Sequence, residues 1–340
     1  MATTLLIVGY LLAVPPLIVL GKMWRRRWWL VYLAEVLGAL CVAAGWFLKG
    51  MPWAVAANGL WAVGFGITFP LFAGRGKRWW VVVTTGLVTS LALGGLGYAL
   101  VRSQFRKTKV AKASEGQAVS EFRRSGGASS KTAEGTPPAG VYQFSATGQY
   151  TVSVPGLGKD VRVLPKTLPA VLVSKGRCWE LNIRFFKQHQ RTVRYCSEKK
   201  GHLRMVWLLN QNEFFGLKHL TKTRCVPDLI LRPGDEPGHQ TAQTCKPVGV
   251  DQRFGKTDAK VMFEYVAANT MTIGGRKVRV HHLRRTLVVK SLQSARVVQH
   301  LHYADETGML VRYRVNGGGS GLATFRSDYQ ITLTSLSPKR

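Results

Sequence analysis

The chain has 340 residues, 46% of them hydrophobic, and 48 Lys and Arg against 17 Asp and Glu give a formal net charge of +31. This length suggests about two domains. The charge predicts attraction to polyanions such as anionic lipid head groups, wall polymers or nucleic acid, and by itself it excludes none of them. Nine of the basic residues and one acidic residue precede Ser103, so residues 103–340 carry +23.

Four apolar windows in residues 1–102 predict transmembrane helices, since each approaches the roughly 20 residues that a bilayer requires. The windows are Thr3–Leu20, Leu30–Leu48, Trp53–Ala73 and Val81–Val101. Two Arg-Trp-Trp clusters, at residues 25–29 and 77–80, lie at the ends of these windows. Such clusters are typical of the interface between lipid head groups and acyl chains. The first window is too long, and its N-terminus too uncharged, for a cleaved signal peptide.

The short loops between these windows predict a multi-pass plasma-membrane protein with both termini extracytoplasmic. The first and third loops carry most of the positive charge, and the second has only Lys49. Positively charged short loops stay in the cytoplasm, whereas long domains translocate largely regardless of charge. The basic stretch after Val101 argues for the opposite orientation, but two loops outweigh one tail.

Glu35 is the only acidic residue of residues 1–102 and falls inside the second window. An intramembrane carboxylate is a functional candidate, as part of a proton or cation pathway. The simpler interpretation, which we favour, is a shallow position that pairs with Arg25, Arg26 or Arg27.

Composition changes after the fourth window and predicts a flexible basic linker over residues 103–139. Lys, Ser, Ala, Gly, Thr and Pro dominate this stretch, which has too little apolar surface to fold by itself. Residues 140–340 then form the predicted extracytoplasmic domain.

Period-two alternation indicates about eight strands in residues 140–340. They are Val141–Ser145, Leu181–Phe185, Arg204–Leu209, Val261–Val266, Val278–His282, Val297–His302, Leu310–Val315 and Tyr329–Thr334. The weak helical candidate is Leu287–Arg296. The predicted fold class is therefore a four-helix membrane domain plus a β-rich α+β outer domain, with a curved antiparallel sheet or half-barrel.

Four cysteines of the outer domain predict two disulfide bonds. An even number of cysteines in an extracytoplasmic domain is typical of disulfides, and the absence of a Cys-x-x-Cys pair disfavours zinc. Sequence order favours Cys178–Cys196 and Cys225–Cys245, with the other two connectivities left open. Cys41, in the second window, is expected to be an inert core thiol.

The outer domain carries a series of short motifs in a fixed order. They are Gly140–Phe144 with Gly148, Cys178-Trp179, Cys196, Asn212–Gly216, Cys225–Pro227, Glu306–Arg312 and Tyr329–Pro338. This order resembles that of uncharacterised actinobacterial multi-pass envelope proteins, and it is similar to lipoprotein-carrier and lipid-binding half-barrel lipoproteins. The resemblance implies a curved sheet around an apolar cavity that holds acyl chains.

Apolar residues in or beside the strands are the candidates for the lining of such a cavity or for its core. They are Phe144, Trp179, Ile183, Phe185, Trp207 and Phe263. The expected partners are membrane lipids, with anionic envelope polymers or a lipoprotein as further candidates. Nucleic acid is disfavoured because no helix-turn-helix or aromatic RNA-binding motif is present.

Catalytic and metal-binding motifs are absent from the sequence. All eight histidines follow residue 140, and His300 and His302 would share one face of a strand. No carboxylate or cysteine ligand stands convincingly beside them, so surface histidines are the favoured interpretation and no metal or cofactor is expected. Asp235-Glu236 lies in a Pro-Gly turn rather than in a paired-carboxylate site.

The leading hypothesis is therefore a non-enzymatic envelope protein that binds a lipid, lipoprotein or other amphipathic ligand. The second is a transporter or signalling component that uses Glu35, with the outer domain as sensor. The third is an envelope enzyme, which a deep pocket combining His281 or His300 with an acid would favour.

Overall fold

The computed structural model describes residues 110–124, 133–154, 158–198, 202–215, 217–232, 234–248, 259–290, 294–321 and 323–340. These residues belong to one compact unit, Lys107–Arg340. They contain helix α1 (Glu115–Arg124) and fourteen strands. The strands are β1 (Gly140–Val154), β2 (Gly158–Val163), β3 (Thr167–Lys175), β4 (Cys178–Phe186), β5 (His189–Ser197), β6 (Leu203–Phe214), β7 (Leu217–Val226), β8 (Leu229–Leu231), β9 (Gln240–Pro247), β10 (Ala259–Ile273), β11 (Arg276–Lys290), β12 (Ser294–Ala304), β13 (Leu310–Ser320) and β14 (Thr324–Leu333).

Twelve of these strands form a closed antiparallel barrel. Hydrogen bonding runs in the order β14-β13-β12-β11-β10-β9-β7-β6-β5-β4-β3-β1, and β1 then pairs with β14. The closing register extends from Phe144 opposite Leu333 to Ser153 opposite Thr324. Strands β2 and β8 lie off this ring, where β2 continues the second edge of β1 beyond β3 and β8 pairs with β6. Closure leaves neither terminal strand of the ring with an unpaired edge.

One face of the closed sheet points inward, and burial identifies it. In β12, Val297, Gln299 and Leu301 are buried, whereas Arg296 and Val298 on the other face are more accessible. The register assigns the neighbouring strands in the same way: Leu283 and Tyr313 lie opposite Leu301, and Arg285 and Val315 lie opposite Gln299. The barrel interior is therefore the core of the protein, and it contains charged as well as apolar side chains.

The predicted fold class is wrong in its architecture. The sheet is a closed barrel rather than a half-barrel, because β1 is long enough to pair with β14 along one edge and with β3 and β2 along the other. Within the described residues, no helix is long and apolar enough to span a membrane. This finding contradicts the prediction of a multi-pass plasma-membrane protein with both termini extracytoplasmic. The four predicted windows, with Glu35 and Cys41, lie outside the described residues.

Helix α1 lies within the stretch that we expect to be a flexible linker. Its apolar residues Ala118 and Phe122 are buried, and Glu121 pairs with Arg184 of β4 at 2.7 Å. Glu115 accepts a hydrogen bond from Gln143 and pairs with Lys339. The helix therefore obtains from the barrel wall the apolar contacts that its own composition does not provide. The boundaries 1–102, 103–139 and 140–340 stay a prediction.

Seven of the eight predicted strands fall within strands of the structure, and the eighth, Tyr329–Thr334, extends one residue beyond the end of β14 at Leu333. The helical candidate Leu287–Arg296 is wrong, because Leu287–Lys290 belongs to β11 and Ser294–Arg296 to β12. Valines in this stretch suit a strand, and the pairing between β11 and β12 satisfies their backbone groups. Strands β2, β3, β5, β7, β8 and β9 were not predicted.

Candidate functional site

A cavity of about 580 Å³ opens at one end of the barrel. It lies where several connections meet: the turn between β3 and β4, the ends of β5 and β8, and the turn between β12 and β13. Its lining is Glu134, Gly135, Arg177, Ser197, Glu198, Leu203, Leu231, Arg232, Gly234, Arg279, His281, Ala304, Asp305, Glu306 and Gly308. This volume is within the range of small-molecule sites in proteins.

The apolar part of this cavity lies against the barrel interior. Leu203, Leu231 and Ala304 are buried lining residues. Gly308 lies directly against Trp179, since a Cβ atom added there would be 3.1 Å from Cη2 of the indole. Trp179 itself is 1% exposed, and its indole Nε1 has no hydrogen-bond partner among the described residues. The cavity therefore combines an apolar floor beside Trp179 with a charged rim.

The rim contains a short hydrogen-bonded chain of side chains. Nε2 of His281 lies 2.6 Å from Oδ1 of Asp305, and Nδ1 of His281 lies 3.2 Å from the hydroxyl of Tyr265. Nε of Arg279 is 3.6 Å from Oδ2 of the same aspartate. The cavity therefore brings His281 together with an acid, which is the arrangement that would favour the enzyme hypothesis.

Among the described residues, no nucleophilic side chain is hydrogen-bonded to His281 to complete a catalytic triad. In the described part of the protein, the hydrogen-bond partners of His281 are Asp305 and Tyr265 alone. Burial raises the pKa of Tyr265, which opposes formation of a phenolate. The arrangement can orient and polarise His281, but it does not activate a hydroxyl or thiol for attack.

Beyond the floor, aromatic rings continue into the barrel. Trp179 packs on Tyr195 with ring centroids 5.9 Å apart, and Tyr195 meets Tyr303 at 5.7 Å. A second group joins Tyr313 to Tyr329 at 6.0 Å and Tyr329 to Phe185 at 5.4 Å. The interior thus offers large apolar surfaces with phenolic hydroxyl groups among them.

Arg191, from β5, is the first of two arginines inside the barrel. Its Nη1 donates a hydrogen bond of 2.5 Å to the hydroxyl of Tyr313, and its guanidinium carbon lies 4.7 Å from the centre of the same ring. Arg191 is buried, with 9% of the residue exposed. Tyr329 and Gln299 keep similar fractions of 8% and 6%.

Arg285, from β11, is the second interior arginine and is 2% exposed. Its Nη1 donates to Oε1 of Gln299 at 2.9 Å, whereas its buried Nε has no hydrogen-bond partner among the described residues. Burial, and then the neighbouring charge of Arg191, lowers the pKa of Arg285 to about 10. We call Arg191, Arg285, Gln299 and Tyr313 the interior basic cluster.

The six predicted lining residues separate into two groups. Phe144, Trp179, Ile183, Phe185 and Phe263 are at most 2% exposed. Trp207 is half-buried on the outer face, where Nζ of Lys222 lies 4.8 Å from its ring centre. Among the six, Trp179 lies beside the cavity floor and Phe263 packs against Arg285 at 5.6 Å. Their contact with a ligand stays a prediction.

Both disulfide bonds that sequence order favours are present, Cys178–Cys196 and Cys225–Cys245. Each joins directly opposed residues of antiparallel strands, β4 with β5 and β7 with β9. The two cysteines of each bond are close in space because their strands pair. The spacing of the cysteines in the sequence did not establish that pairing.

Three histidines form a cluster on the outer face of the barrel. His282 stacks on His302 with centroids 4.2 Å apart, and its Nε2 lies 2.9 Å from Nδ1 of His300. Burial lowers the pKa of all three, and that of His302 falls to about 3. No group of three or more potential metal ligands among the described residues has a geometry suited to a metal ion.

The interior arginines were missed in the sequence, although a signal for them was present. Arg191 alternates with Val193 and Tyr195 in β5, and Arg285 alternates with Leu283 and Leu287 in β11. Period-two alternation puts each arginine on the apolar, inward face of its strand. An arginine on the apolar face of a strand is therefore the signal that identifies these residues.

Comparison with known proteins yields structural neighbours alone. No protein-family profile matches the chain, and no curated protein matches it. The hypothetical lipoprotein YmcC from Escherichia coli is 12% identical, with 62% of this chain and 95% of that chain covered and a TM-score of 0.30. A putative lipoprotein from Parabacteroides distasonis is 8% identical, with 61% and 99% covered and a TM-score of 0.29. TM-scores this low do not bear on function, and neither match bears on the actinobacterial resemblance.

Proposed function

We propose that this protein is a non-enzymatic binding protein of the cell envelope whose barrel takes an amphipathic ligand, either a lipid or the acyl-bearing part of a lipoprotein. The observation that carries the proposal is the cavity at the barrel end. Its rim is charged, and its floor of Leu203, Leu231 and Ala304 adjoins the buried aromatic interior. A charged rim and an adjoining apolar interior together offer the polar and the apolar contacts that an amphipathic ligand makes.

The disulfides support the compartment in this proposal. Disulfide bonds persist in oxidising extracytoplasmic compartments and are rare in the reducing cytosol. The two bonds join β4 to β5 and β7 to β9, so they cross-link the wall on both sides of β6. A wall of this kind would keep its cavity intact in the envelope.

The proposal is tested with cis-parinaric acid, a fatty acid whose fluorescence rises in an apolar environment. The purified full-length chain should enhance this fluorescence in a saturable titration. Ser197→Trp should weaken binding by about 10-fold or more, because Ser197 lines the cavity and an indole there would fill part of it.

The matched control is Gln330→Trp, which adds the same side chain to β14 outside the cavity lining. This variant should bind like the unmodified protein. Equal binding by both variants would exclude the end cavity as the binding site. Absence of binding both to parinaric acid and to lipids extracted from envelopes would overturn the proposed function.

A further inference from the structure

The interior basic cluster places two positive charges in the barrel without a compensating negative charge. In the described part of the chain, no carboxylate lies within ion-pair distance of Arg191 or Arg285. The buried carboxylate of Asp160 is already paired with Arg162 at 2.8 Å. The hydrogen-bond partners of the two arginines lie on adjacent strands, because Tyr313 of β13 pairs with Leu301 of β12 and Gln299 is two residues before Leu301.

The contacts of Arg285 leave part of the cost of its burial without compensation. Moving an ion out of water is costly even after the protein relaxes. A cation–π contact and a hydrogen bond to a charged group each return a part of that cost. Among the described residues, the side chain of Arg285 makes one hydrogen bond, to Gln299, and a ring contact with Phe263 at 5.6 Å. Its buried Nε is still without a partner among the described residues.

The side chains around the two arginines supply hydrogen-bond donors. The hydroxyl groups of Tyr195 and Tyr303 lie 3.3 Å apart, and Tyr195 lies on the same inward face of β5 as Arg191. Burial raises the pKa of Tyr303 well above its ordinary value, so its hydroxyl stays protonated. Two guanidinium groups with neutral phenols form a set of donors that suits an anion.

We propose that the interior basic cluster binds the anionic head group, a carboxylate or phosphate, of the amphipathic ligand that the barrel takes. This inference rests on the proposed function and specifies the ligand class as anionic amphiphiles. The guanidinium groups of Arg285 and Arg191 provide the charge, and the tyrosine rings contact the first part of the apolar chain. The anion supplies the negative charge that the described residues around the cluster lack.

The decisive comparison uses two ligands that share one fluorescent chain, cis-parinaric acid and its reduced alcohol. The full-length protein should bind the acid about 10- to 100-fold more tightly than the alcohol, as expected for charge-assisted hydrogen bonds made without solvent. Arg285→Met should reduce the affinity for the acid to that for the alcohol and leave the alcohol unchanged. Arg191→Met should act in the same direction.

The control Arg314→Met removes an exposed arginine from the outer face of β13 and should leave both affinities unchanged. A thermal melt of the ligand-free protein gives a second readout. Arg285→Met should raise the melting temperature, because it replaces an unpaired buried charge with an apolar side chain of similar length. A purely structural arginine would give a lower melting temperature.

The outcomes separate this inference from the proposed function. Equal binding of acid and alcohol, or full acid affinity in Arg285→Met, would overturn the head-group assignment and leave the binding function standing. If neither fluorescent ligand nor the envelope lipids bind, the proposed function itself is overturned. Acetate and inorganic phosphate are tested as competitors. If a free anion binds at Arg285 but parinaric acid does not, the cluster is a site for small anions. That result would overturn the assignment of an amphiphile as its ligand.

Discussion

At the scale of single residues, charges inside the protein are of two kinds. Arg162 is compensated, since its Nε and Nη2 donate to Oδ2 of Asp160 and its Nη2 also donates to the carbonyl of Glu213 at 2.6 Å. Arg191 and Arg285 have neutral partners instead. The two kinds should respond differently to substitution, because loss of one member of a buried pair leaves the other charge uncompensated.

Arg162→Met should destabilise the barrel by about 3–5 kcal/mol, since Asp160 would then be a buried carboxylate without its partner. The measurement is the free energy of unfolding of the full-length chain, followed by near-ultraviolet circular dichroism. Arg194→Met is the matched control, because its pair with Glu180 at 3.5 Å is about one-third exposed and is worth less than about 1 kcal/mol. Equal costs for the two variants would contradict this assignment.

The outer histidine cluster predicts a loss of stability in acid. The pKa of His302 is lowered to about 3, first by burial and then by His282, Arg312 and His300. Between pH 6.5 and about 3 the unfolded chain therefore binds more protons at this residue than the folded protein does. Stability from this residue is complete above pH 6.5 and falls by up to about 1.4 kcal/mol per unit as the pH decreases.

His302→Phe should therefore reduce the drop in melting temperature between pH 7 and pH 4.5. The phenyl ring keeps the stacking contact with His282 but does not titrate. Gln330→Phe is the control, since it adds the same ring to β14 without removing a titratable group and should leave the pH dependence unchanged. An identical drop for His302→Phe and the unmodified protein would show that His302 does not contribute.

At the scale of elements, the two disulfides bind neighbouring strands from opposite faces of the wall. Cys225 and Cys245 are 4% and 1% exposed and belong to the buried core. Cys178 and Cys196 are half-buried. Because a reducing thiolate must reach the sulfur atoms, the environment of each bond decides its rate of reduction.

A water-soluble reductant should therefore reduce Cys178–Cys196 faster than Cys225–Cys245 in the folded protein. Timed reduction, alkylation and peptide mass spectrometry measure the two rates separately. In denaturant the difference should disappear, which is the internal control. Faster reduction of Cys225–Cys245 under native conditions would contradict the burial assigned to the two bonds.

At the scale of the whole molecule, closure depends on a long-range pairing between the first and last strands of the ring. Gly148 of β1 lies opposite Tyr329 of β14, at a φ of +97°. A Cβ atom there would lie 2.3 Å from the carbonyl oxygen of Asp328 and 2.6 Å from the Cα of Tyr329. The strands can approach this closely because residue 148 has no side chain.

Gly148→Ala should destabilise the barrel and accelerate amide hydrogen exchange in β14. Gly158→Ala is a close control, because Gly158 has the same φ of +97° and a Cβ atom there meets nothing within 4 Å. Both variants place a side chain at a positive φ, which is unfavourable in each. The difference between their unfolding free energies therefore measures the steric overlap with β14. Equal effects would show that this close approach does not matter for closure.

The sequence alone determined the local features of this protein. Alternation in Val278–His282 and Val297–His302 identified strands correctly, because the period of a half-buried strand is a property of neighbouring residues. Cysteine order favoured the correct disulfides for a related reason, since each pair belongs to strands close in the chain. The candidate lining residue Phe263 was likewise recognised as an inward apolar residue, although its arginine neighbour was not.

Only the tertiary structure decided what depends on distant parts of the chain. The pairing of β1 with β14 joins residues about 180 positions apart and converts the expected half-barrel into a closed one. The same closure brings Arg191 of β5 and Tyr313 of β13 into hydrogen-bond contact, and the partner of Arg285, Gln299, lies on the adjacent strand β12. No local pattern specifies such a meeting, because it depends on the register of every strand between them.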